Sequence, residues 1–267
     1  MAIPKKLHFI WLGELNIPMN IINTWKQYHA DWEIKIWTDK EVNELTMINQ
    51  EIFDKSKKYN QKSDIARFEI IYRYGGVYCD TDIICLKSIN SLLQNKLFLI
   101  QEKRGVISNS LIGSVPFDTN VLHIIKTMQA NFNLTDAVWK TTGPLFITNH
   151  LLDHKKVLPF ISDKQYDYIS TKEVSVYPYY YVNINHDHSQ KFMNVELTEF
   201  QEFKGNKDEK YVRYNHLDDN NIYAVQLWGG SKKAFYKDIL SLDTDQYKKN
   251  IYRYILHLNR IMDSYKK

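Results

Sequence analysis

Two aspartates separated by one residue follow a short apolar segment near the middle of the first half of the chain. At the two-residue period of a β-strand, Asp80 and Asp82 share a face with Tyr78. Carboxylates this close repel each other, and a bound divalent cation relieves the repulsion. Mg2+ and Mn2+ prefer oxygen ligands and are often shared with substrate phosphates. An isolated Asp-x-Asp also suits a solvated turn, so its chemistry depends on the surrounding residues.

A helix carrying two charged groups is predicted directly upstream. Ser63 suits an N-cap, and Asp64 would then lie in the first turn, where the helix dipole favours negative charge. Asp64 and Arg67 are three residues apart, so their side chains project from nearly the same side. Gly75 and Gly76 end the helix, because glycine adopts the left-handed conformation that other residues avoid.

The whole stretch from Ser63 to Asp82, SDIARFEIIYRYGGVYCDTD, resembles glycosyltransferase family 32. That family includes fungal initiating mannosyltransferases and many bacterial capsule and O-antigen enzymes, and large clostridial toxins share its catalytic core. The resemblance implies Asp82 as the direct ligand of Mn2+ or Mg2+. It implies Asp80 beside the metal and the ribose or sugar hydroxyls, and Tyr78 along the nucleotide. It assigns Asp64 and Arg67 to the donor sugar.

The N-terminal segment is predicted to form the first strand. Lys5 to Leu12 is largely apolar on both faces, as is typical of central strands in α/β sheets. In such sheets ligands bind beyond the carboxyl ends of the strands, and Gly13 ends this one. The family's opening pattern matches Ile3 to Gly13, which implies that Trp11, Leu12 and Gly13 line the base or ribose. Core packing is the alternative for Trp11.

Two further elements carry candidate sugar-nucleotide residues. The apolar segment Val106 to Gly113 contains Asn109, which the resemblance makes a candidate contact to the donor sugar; a turn position is the alternative. Thr142 and Gly143 precede Pro144, a pattern that predicts a helix start with Thr142 as cap. A similar element in the family implies Thr142 and Gly143 near the donor or acceptor sugar, and an ordinary helix start is the alternative.

The last predicted strand, Ile222 to Gln226, precedes a segment similar to the end of the family's catalytic core. Trp228 and Ser231 match that pattern, which closes over the metal and diphosphate in related enzymes. Gln226 stands where the family has His. Its amide oxygen would be a third metal ligand, weaker than imidazole towards Mn2+.

The length fits one domain, or one domain with an elaboration, with a sizeable core. The 267 residues carry a net charge of +4, too mild to indicate nucleic acid but compatible with anionic substrates or a membrane surface. The two cysteines, Cys79 and Cys85, suggest neither a disulfide framework nor a zinc site. We find no secretory signal pattern and no apolar run of roughly 20 residues, and we expect a cytoplasmic protein.

We predict an α/β fold of GT-A-like, single-domain type, with a central, mostly parallel twisted sheet flanked by helices. Residues 1–233 are expected to form the catalytic domain and residues 234–267 a C-terminal helical extension. The helix predicted from Asp245 to Lys267 has one apolar face and many basic residues elsewhere. It can dock that face on the domain or lie on anionic lipid at the inner membrane face, and docking is preferred.

The favoured function is a retaining, metal-dependent hexosyltransferase. Its donor is expected to be a UDP-hexose, or GDP-mannose, and its acceptor a glycan, expected to be a lipid-linked oligosaccharide in bacterial capsule or O-antigen synthesis. Alternatives are a degenerate transferase that binds nucleotide sugar without turnover, and an enzyme that glycosylates a protein. A haloacid-dehalogenase-type phosphatase also places Asp-x-Asp at a strand end, with Asp80 as nucleophile, but gives the upstream helix no role.

Overall fold

The computed structural model describes residues 2–103, 106–151, 169–170, 173–182, 222–227 and 233–265. Its contacts divide the chain into two compact units. The first unit comprises Met1–Ile17, His29–Thr81 and Ser88–Tyr179, and the second comprises Pro18–Tyr28, Asp82–Lys87 and Tyr180–Lys267. The division expected at residue 233 stays a prediction.

The described strands form two sheets. They are β1 (Lys6–Ile10), β2 (Glu33–Trp37), β3 (Gly76–Cys79), β4 (Ile83–Cys85), β5 (Leu97–Lys103), β6 (Val106–Ser114), β7 (Ile169–Ser170), β8 (Val174–Tyr177) and β9 (Ala224–Gln226). The first unit contains a seven-stranded sheet in the order β2-β1-β3-β6-β5-β8-β7. Five of these strands run in one direction, and β6 and β7 run in the other. The predicted α/β class with a mostly parallel sheet is confirmed.

Helices pack against this sheet. The described helices are α1 (Met19–Tyr28), α2 (Asp39–Asn43), α3 (Gln50–Lys55), α4 (Tyr59–Tyr74), α5 (Thr119–Asn131), α6 (Val138–Thr141), α7 (Pro144–His150), α8 (Lys233–Leu240) and α9 (Thr244–Tyr265). In the first unit, the apolar residues of α4, α5 and α7 join those of β5, β6 and β8 in one buried cluster. Burial of this apolar area is the main stabilising contribution to the unit.

The helix that carries Asp64 and Arg67 starts earlier than the sequence predicts. It begins at Tyr59, after Lys58, and Lys58 makes no side-chain cap hydrogen bond. Ser63 therefore lies inside α4, and the prediction that it is the N-cap is wrong. The residues from Tyr59 to Lys62 can continue a helix without strain, and contacts made by the helix outweigh the missing cap. Asp64 therefore lies beyond the first turn of α4, where the helix dipole no longer favours its negative charge. Its side chain is buried.

The glycine pair after α4 is required by the backbone. Gly75 has φ 60° and Gly76 has φ 93°. A Cβ atom on Gly76 would lie 2.7 Å from the carbonyl oxygen of Lys6. The chain can therefore turn from α4 directly into β3 only with glycine at this position.

The strand that precedes the two aspartates is shorter than predicted. β3 ends at Cys79, and Thr81 and Asp82 form a turn before β4. The prediction that Asp80 and Asp82 share one face of a strand is therefore wrong. The reason is topological: after Asp80 the chain leaves the seven-stranded sheet, and β4 pairs with β9 instead.

The second unit has its own small core. β4 and β9 pair antiparallel, and the apolar cluster around them includes Tyr247, Ile251 and Ile255 of α9. This part of α9 thus docks its apolar face, as the sequence analysis preferred. In the parts of the chain that the structure describes, no helix is both long and apolar enough to cross a bilayer. Contact with a membrane surface stays a prediction.

Candidate functional site

Arg67 connects the two acidic positions of the first unit. Its Nη2 lies 2.8 Å from Oδ1 of Asp64, and its Nη1 lies 3.2 Å from Oδ1 of Asp80. The same Nη1 donates a hydrogen bond of 2.5 Å to the carbonyl oxygen of Asn109 in β6. The planar guanidinium suits this arrangement, because its donors diverge at fixed angles. One cation thus joins α4, the end of β3, and β6.

Asp64 is held by three donors from three different segments. Besides Arg67, the side-chain amide of Asn109 donates to Oδ1 at 2.9 Å, and the hydroxyl of Thr142 donates to Oδ2 at 2.9 Å. Asp64 is only 7% exposed and Thr142 is fully buried. Because each buried donor and acceptor is paired, the carboxylate is fixed in one orientation.

Asp80 is the more accessible carboxylate of this network. Its Oδ1 accepts the hydroxyl of Tyr78 at 2.6 Å as well as the contact from Arg67. Its backbone N–H donates to the carbonyl oxygen of Ser110 at 2.8 Å, which anchors it to β6. The side chain is 25% exposed, and among the described residues no hydrogen bond reaches Oδ2. That oxygen can accept from a substrate hydroxyl or coordinate a cation.

Tyr78 supports Arg67 and Asp80 together. The guanidinium carbon of Arg67 lies 4.4 Å from the centre of the Tyr78 ring, a cation–π contact. Ser63, one helical turn before Arg67, approaches both: its hydroxyl lies 3.4 Å from the Tyr78 hydroxyl and 3.4 Å from Nη2 of Arg67. This role of Ser63 is not among the predictions from the sequence, although its four-residue spacing from Arg67 on a helix could have indicated it.

Burial is the largest cause of the shifts in the pKa values of the two carboxyl groups of the network. It raises the pKa of Asp64 to about 6, against the opposing effects of Arg67 and the Thr142 hydroxyl. Burial also raises the pKa of Asp80, although Arg67 again opposes the shift. The single guanidinium therefore does not fully compensate two enclosed carboxylates, and the site favours an additional cation or hydroxyl donor.

The loop after β1 contains the three residues predicted to line the base or ribose. Trp11 is partly exposed, so it is not a core residue, and its indole N–H donates to the carbonyl oxygen of Leu15 at 2.6 Å. Leu12 and Gly13 are also partly exposed. The backbone N–H of Gly13 donates to Oδ2 of Asp39 at 2.8 Å, and Gly13 has φ 93°. The loop is thus fixed and accessible, but its contact with a nucleotide stays a prediction.

In the second unit, Asp82 directly precedes β4, and Gln226 is the last residue of β9. Ile83 pairs with Gln226, and the backbone N–H of Leu227 donates to the carbonyl oxygen of Asp82 at 2.8 Å. Gln226 is only 6% exposed, and within the described residues its Oε1 has no hydrogen-bond partner. A buried acceptor without a donor is costly, and a bound cation would satisfy it.

These donor groups fit a hard divalent cation in part. Carboxylate and amide oxygens are the ligands that Mg2+ and Mn2+ accept. Across the described part of the chain, no three His, Cys, Asp or Glu side chains cluster as a complete metal site. A cation at Asp82 and the amide of Gln226 could take further ligands from the phosphates of a substrate, which is how Mg2+ is usually bound.

For the remaining candidate site residues, the structure corrects two expectations and does not describe two of the residues. Asn109 lies inside β6, so the alternative that it is a turn residue is wrong. Gly143, and not Thr142, is the N-cap of α7, because the Thr142 hydroxyl is directed at Asp64. Trp228 and Ser231 lie outside the described residues. Asp64, Arg67, Tyr78, Asp80, Asn109 and Thr142 thus converge in one network, and their contact with a donor stays a prediction.

Comparison with known proteins assigns the region around this network. Residues 17–99 match the family model described as a glycosyltransferase sugar-binding region containing a DXD motif. This region is similar to the sugar-binding region of DXD glycosyltransferases. It includes Asp64, Arg67 and both aspartates of the motif.

The similar proteins agree with that assignment. Inositol phosphoceramide mannosyltransferase 1 of Schizosaccharomyces pombe is 33% identical over 161 residues, which cover 55% of this chain and 50% of that protein. An uncharacterised glycosyltransferase of Acanthamoeba polyphaga mimivirus is 28% identical over 174 residues, covering 59% of this chain and 68% of that protein. The chain thus spans about half the length of the first of these relatives.

Solved structures that are similar to this chain are more distant in sequence. The PaToxG glycosyltransferase is 20% identical, with a TM-score of 0.48, covering 59% of this chain and 70% of that one. The UDP-bound glycosyltransferase domain of the YGT toxin is 10% identical, with a TM-score of 0.46, covering 93% of this chain and 99% of that one.

Proposed function

We propose that this protein transfers a hexose from a nucleotide-diphosphate sugar to a glycan or lipid head group. The observation that carries the proposal is the network of Arg67, Asp64 and Asp80 within the matched DXD region. Such a network can orient sugar hydroxyls next to a carboxylate pair, and orientation contributes several kcal/mol to catalysis in general, on the order of 7–11 at best.

The chain's own residues have distinct tasks in this reaction. Asp80 presents Oδ2 to the donor sugar, while Tyr78 and Arg67 hold Oδ1. Arg67 offers positive charge where the donor's diphosphate carries negative charge. Asp82 and Gln226 would hold a divalent cation, which supplies Lewis-acid stabilisation of the leaving diphosphate when bound. Retention of configuration follows from the family resemblance.

The donor sugar has two competing identities. The sequence resemblance favours a UDP-hexose. The fungal relatives are named mannosyltransferases, which favours GDP-mannose. Their names also include inositol phosphoceramide, which supports a lipid or lipid-linked acceptor for this chain. Roles in capsule or O-antigen synthesis, and a location at the cytoplasmic membrane face, remain part of the proposal.

A donor panel tests the proposal. UDP-glucose, UDP-galactose, their N-acetyl forms and GDP-mannose are each incubated with Mn2+, and nucleotide release is measured for the native protein and for Asp82→Asn. Release from one donor that Asp82→Asn abolishes is expected, and it names the sugar. Asp54→Asn is a matched control, because Asp54 is an exposed carboxylate on α3.

The same panel distinguishes a binding protein without turnover. The replacement of the family's His by Gln226 favours that second candidate, because an amide is a weaker Mn2+ ligand. Tight UDP or GDP binding without release, even when inositol phosphoceramide and glycan acceptors are added, would establish the binder and exclude the transferase.

A further inference from the structure

One side of α9 stays exposed after the helix has packed against the second unit. The packed side is formed by Tyr247, Ile251 and Ile255, which follow one another at intervals of four residues and are buried. At 100° per residue, the opposite side carries four exposed residues, which we call the outer face of α9: Lys249, Tyr252, Arg253 and Leu256. At 1.5 Å per residue, the outer face extends over about 10 Å, or two helical turns.

The outer face combines basic and apolar groups. Tyr252 is 43% exposed and Leu256 is 51% exposed, so each presents apolar area to water. The Tyr252 hydroxyl donates to the carbonyl oxygen of Leu86 at 3.2 Å, which fixes the orientation of the ring. Among the residues that the structure describes, no ion pair or hydrogen bond involves the side chain of Lys249 or Arg253. Both cations are therefore available to a ligand.

One acidic residue lies at the N-terminal end of the same side of α9. Asp245 precedes Lys249 by four residues, and its side chain is 73% exposed. Its Oδ1 lies 3.9 Å from Nζ of Lys248, and that lysine is buried and donates to Oε1 of Gln27 at 2.9 Å. Asp245 and Lys248 therefore offset each other. Lys249 and Arg253 then give the outer face a net positive charge.

A face that mixes exposed basic and apolar side chains suits a surface that is both anionic and apolar. Lysine and arginine bury their aliphatic stems in an apolar layer while their charged ends stay in water. Tyrosine suits the same boundary, because its ring is apolar and its hydroxyl is polar. Anionic lipid head groups attract such basic residues. The buried centre of a protein–protein interface, in contrast, is depleted in lysine.

We propose that the outer face of α9 binds the surface of an anionic lipid bilayer. Leu256 and the ring of Tyr252 enter the head-group layer, and Lys249 and Arg253 contact the lipid phosphates and carboxylates. This contact deepens the proposed function, because it holds the protein beside a lipid-linked acceptor. Vesicle binding needs no donor and no turnover, so the lipid contact and the transferase can fail separately.

The experiment measures co-sedimentation of the full chain with two kinds of vesicle. One kind contains phosphatidylcholine alone, and the other contains equal parts of phosphatidylcholine and phosphatidylserine. The native protein is expected to bind the anionic vesicles more tightly than the neutral ones, and added salt should weaken that binding by screening. Lys249→Gln combined with Arg253→Gln should lower the affinity for anionic vesicles by about tenfold or more, since each basic residue contributes about fivefold. Leu256→Ser should lower it by about fivefold, because less apolar area is buried.

The first unit offers matched control variants. Lys40→Gln combined with Lys126→Gln removes the same charge from exposed positions on α2 and α5. Leu134→Ser replaces a leucine that is 55% exposed, close to the exposure of Leu256. Both controls are expected to bind vesicles as the native protein does. Circular dichroism and melting temperature show that each variant is folded.

Four outcomes would each decide against a part of these proposals. Native affinity of the Lys249→Gln, Arg253→Gln protein for anionic vesicles would overturn the role of the outer face. An equal loss in the Lys40→Gln, Lys126→Gln protein would overturn it too, because net charge alone would then explain the binding. Absence of vesicle binding by the native protein would overturn the lipid contact and leave the transferase intact. Vesicle binding without nucleotide release from any donor would overturn the transferase alone.

Discussion

Thr142 donates its hydroxyl to Oδ2 of Asp64 at 2.9 Å, across 78 positions of the chain. The bond joins the turn between α6 and α7 to the interior of α4. Because both groups are buried, neither can exchange its partner for water. The orientation of Asp64, and through Arg67 that of Asp80, therefore depends on a residue outside the matched DXD region.

Removing this hydroxyl should weaken both the fold and the site. Thr142→Val keeps the shape of the side chain but leaves Oδ2 of Asp64 without its donor. We expect a loss of about 1–3 kcal/mol in the free energy of unfolding, measured by urea denaturation. Nucleotide release should fall as well, while Thr142→Ser should retain both. A Thr142→Val protein with native stability and native release would refute the positioning role.

The geometry of Arg67 should matter beyond its charge. Lysine carries one point charge and cannot contact Asp64, Asp80 and the Asn109 carbonyl oxygen at once. Arg67→Lys is therefore expected to fold but to release nucleotide at least about tenfold more slowly, a difference near 1.4 kcal/mol. Arg73→Lys, on the same helix outside the network, should be unaffected.

An Arg67 variant without a positive charge separates the effect on the free energy of unfolding from the effect on nucleotide release. Arg67→Met leaves the buried carboxylate of Asp64 without its cation, so unfolding should become easier by on the order of 3–5 kcal/mol. If Arg67→Lys released nucleotide at the native rate, the planar guanidinium would be unnecessary for turnover.

The raised pKa of Asp64 predicts a pH dependence of stability. Its pKa is about 6 in the folded protein and about 3.9 in an unfolded chain. The folded state therefore holds the proton more tightly, and this contribution to stability is complete below about pH 4 and is lost as the pH rises through about 6. Asp64→Asn does not titrate and lacks the contribution.

Denaturation of the native protein and of Asp64→Asn between pH 4 and 7 measures this effect. The free energy of unfolding of the native protein, minus that of Asp64→Asn, should decrease by on the order of 2–3 kcal/mol over that range. A difference that stays constant with pH would mean that Asp64 titrates alike in both states.

Substitutions of Gln226 test whether this residue is a ligand of a divalent cation. Chelation by EDTA should stop nucleotide release, and added Mn2+ should restore it. Gln226→Leu should lower the apparent Mn2+ affinity by about tenfold or more, since even outer-shell partners contribute that much. Gln226→His should raise the affinity, because imidazole is a better ligand than an amide. Identical Mn2+ titrations for both variants and the native protein would exclude Gln226 as a ligand.

Local sequence determined much of this protein. The spacing of Asp64 and Arg67, the glycine pair at Gly75 and Gly76, and the apolar periodicity of the strands are short-range features. Their geometry follows from the backbone itself, and the sequence predicts all of them. The sequence also predicts that the two aspartates are the chemically important pair, and this stays a prediction.

Tertiary structure decided how those groups are held. Asn109 and Thr142 reach Asp64 across 45 and 78 positions, and no local propensity encodes such pairings. The chain also leaves the sheet after Asp80, because β4 pairs with β9, about 140 residues later. Long-range packing determines which buried donors meet which acceptors. The candidate residues could therefore be predicted from the sequence, but their contacts could be seen only in the tertiary structure.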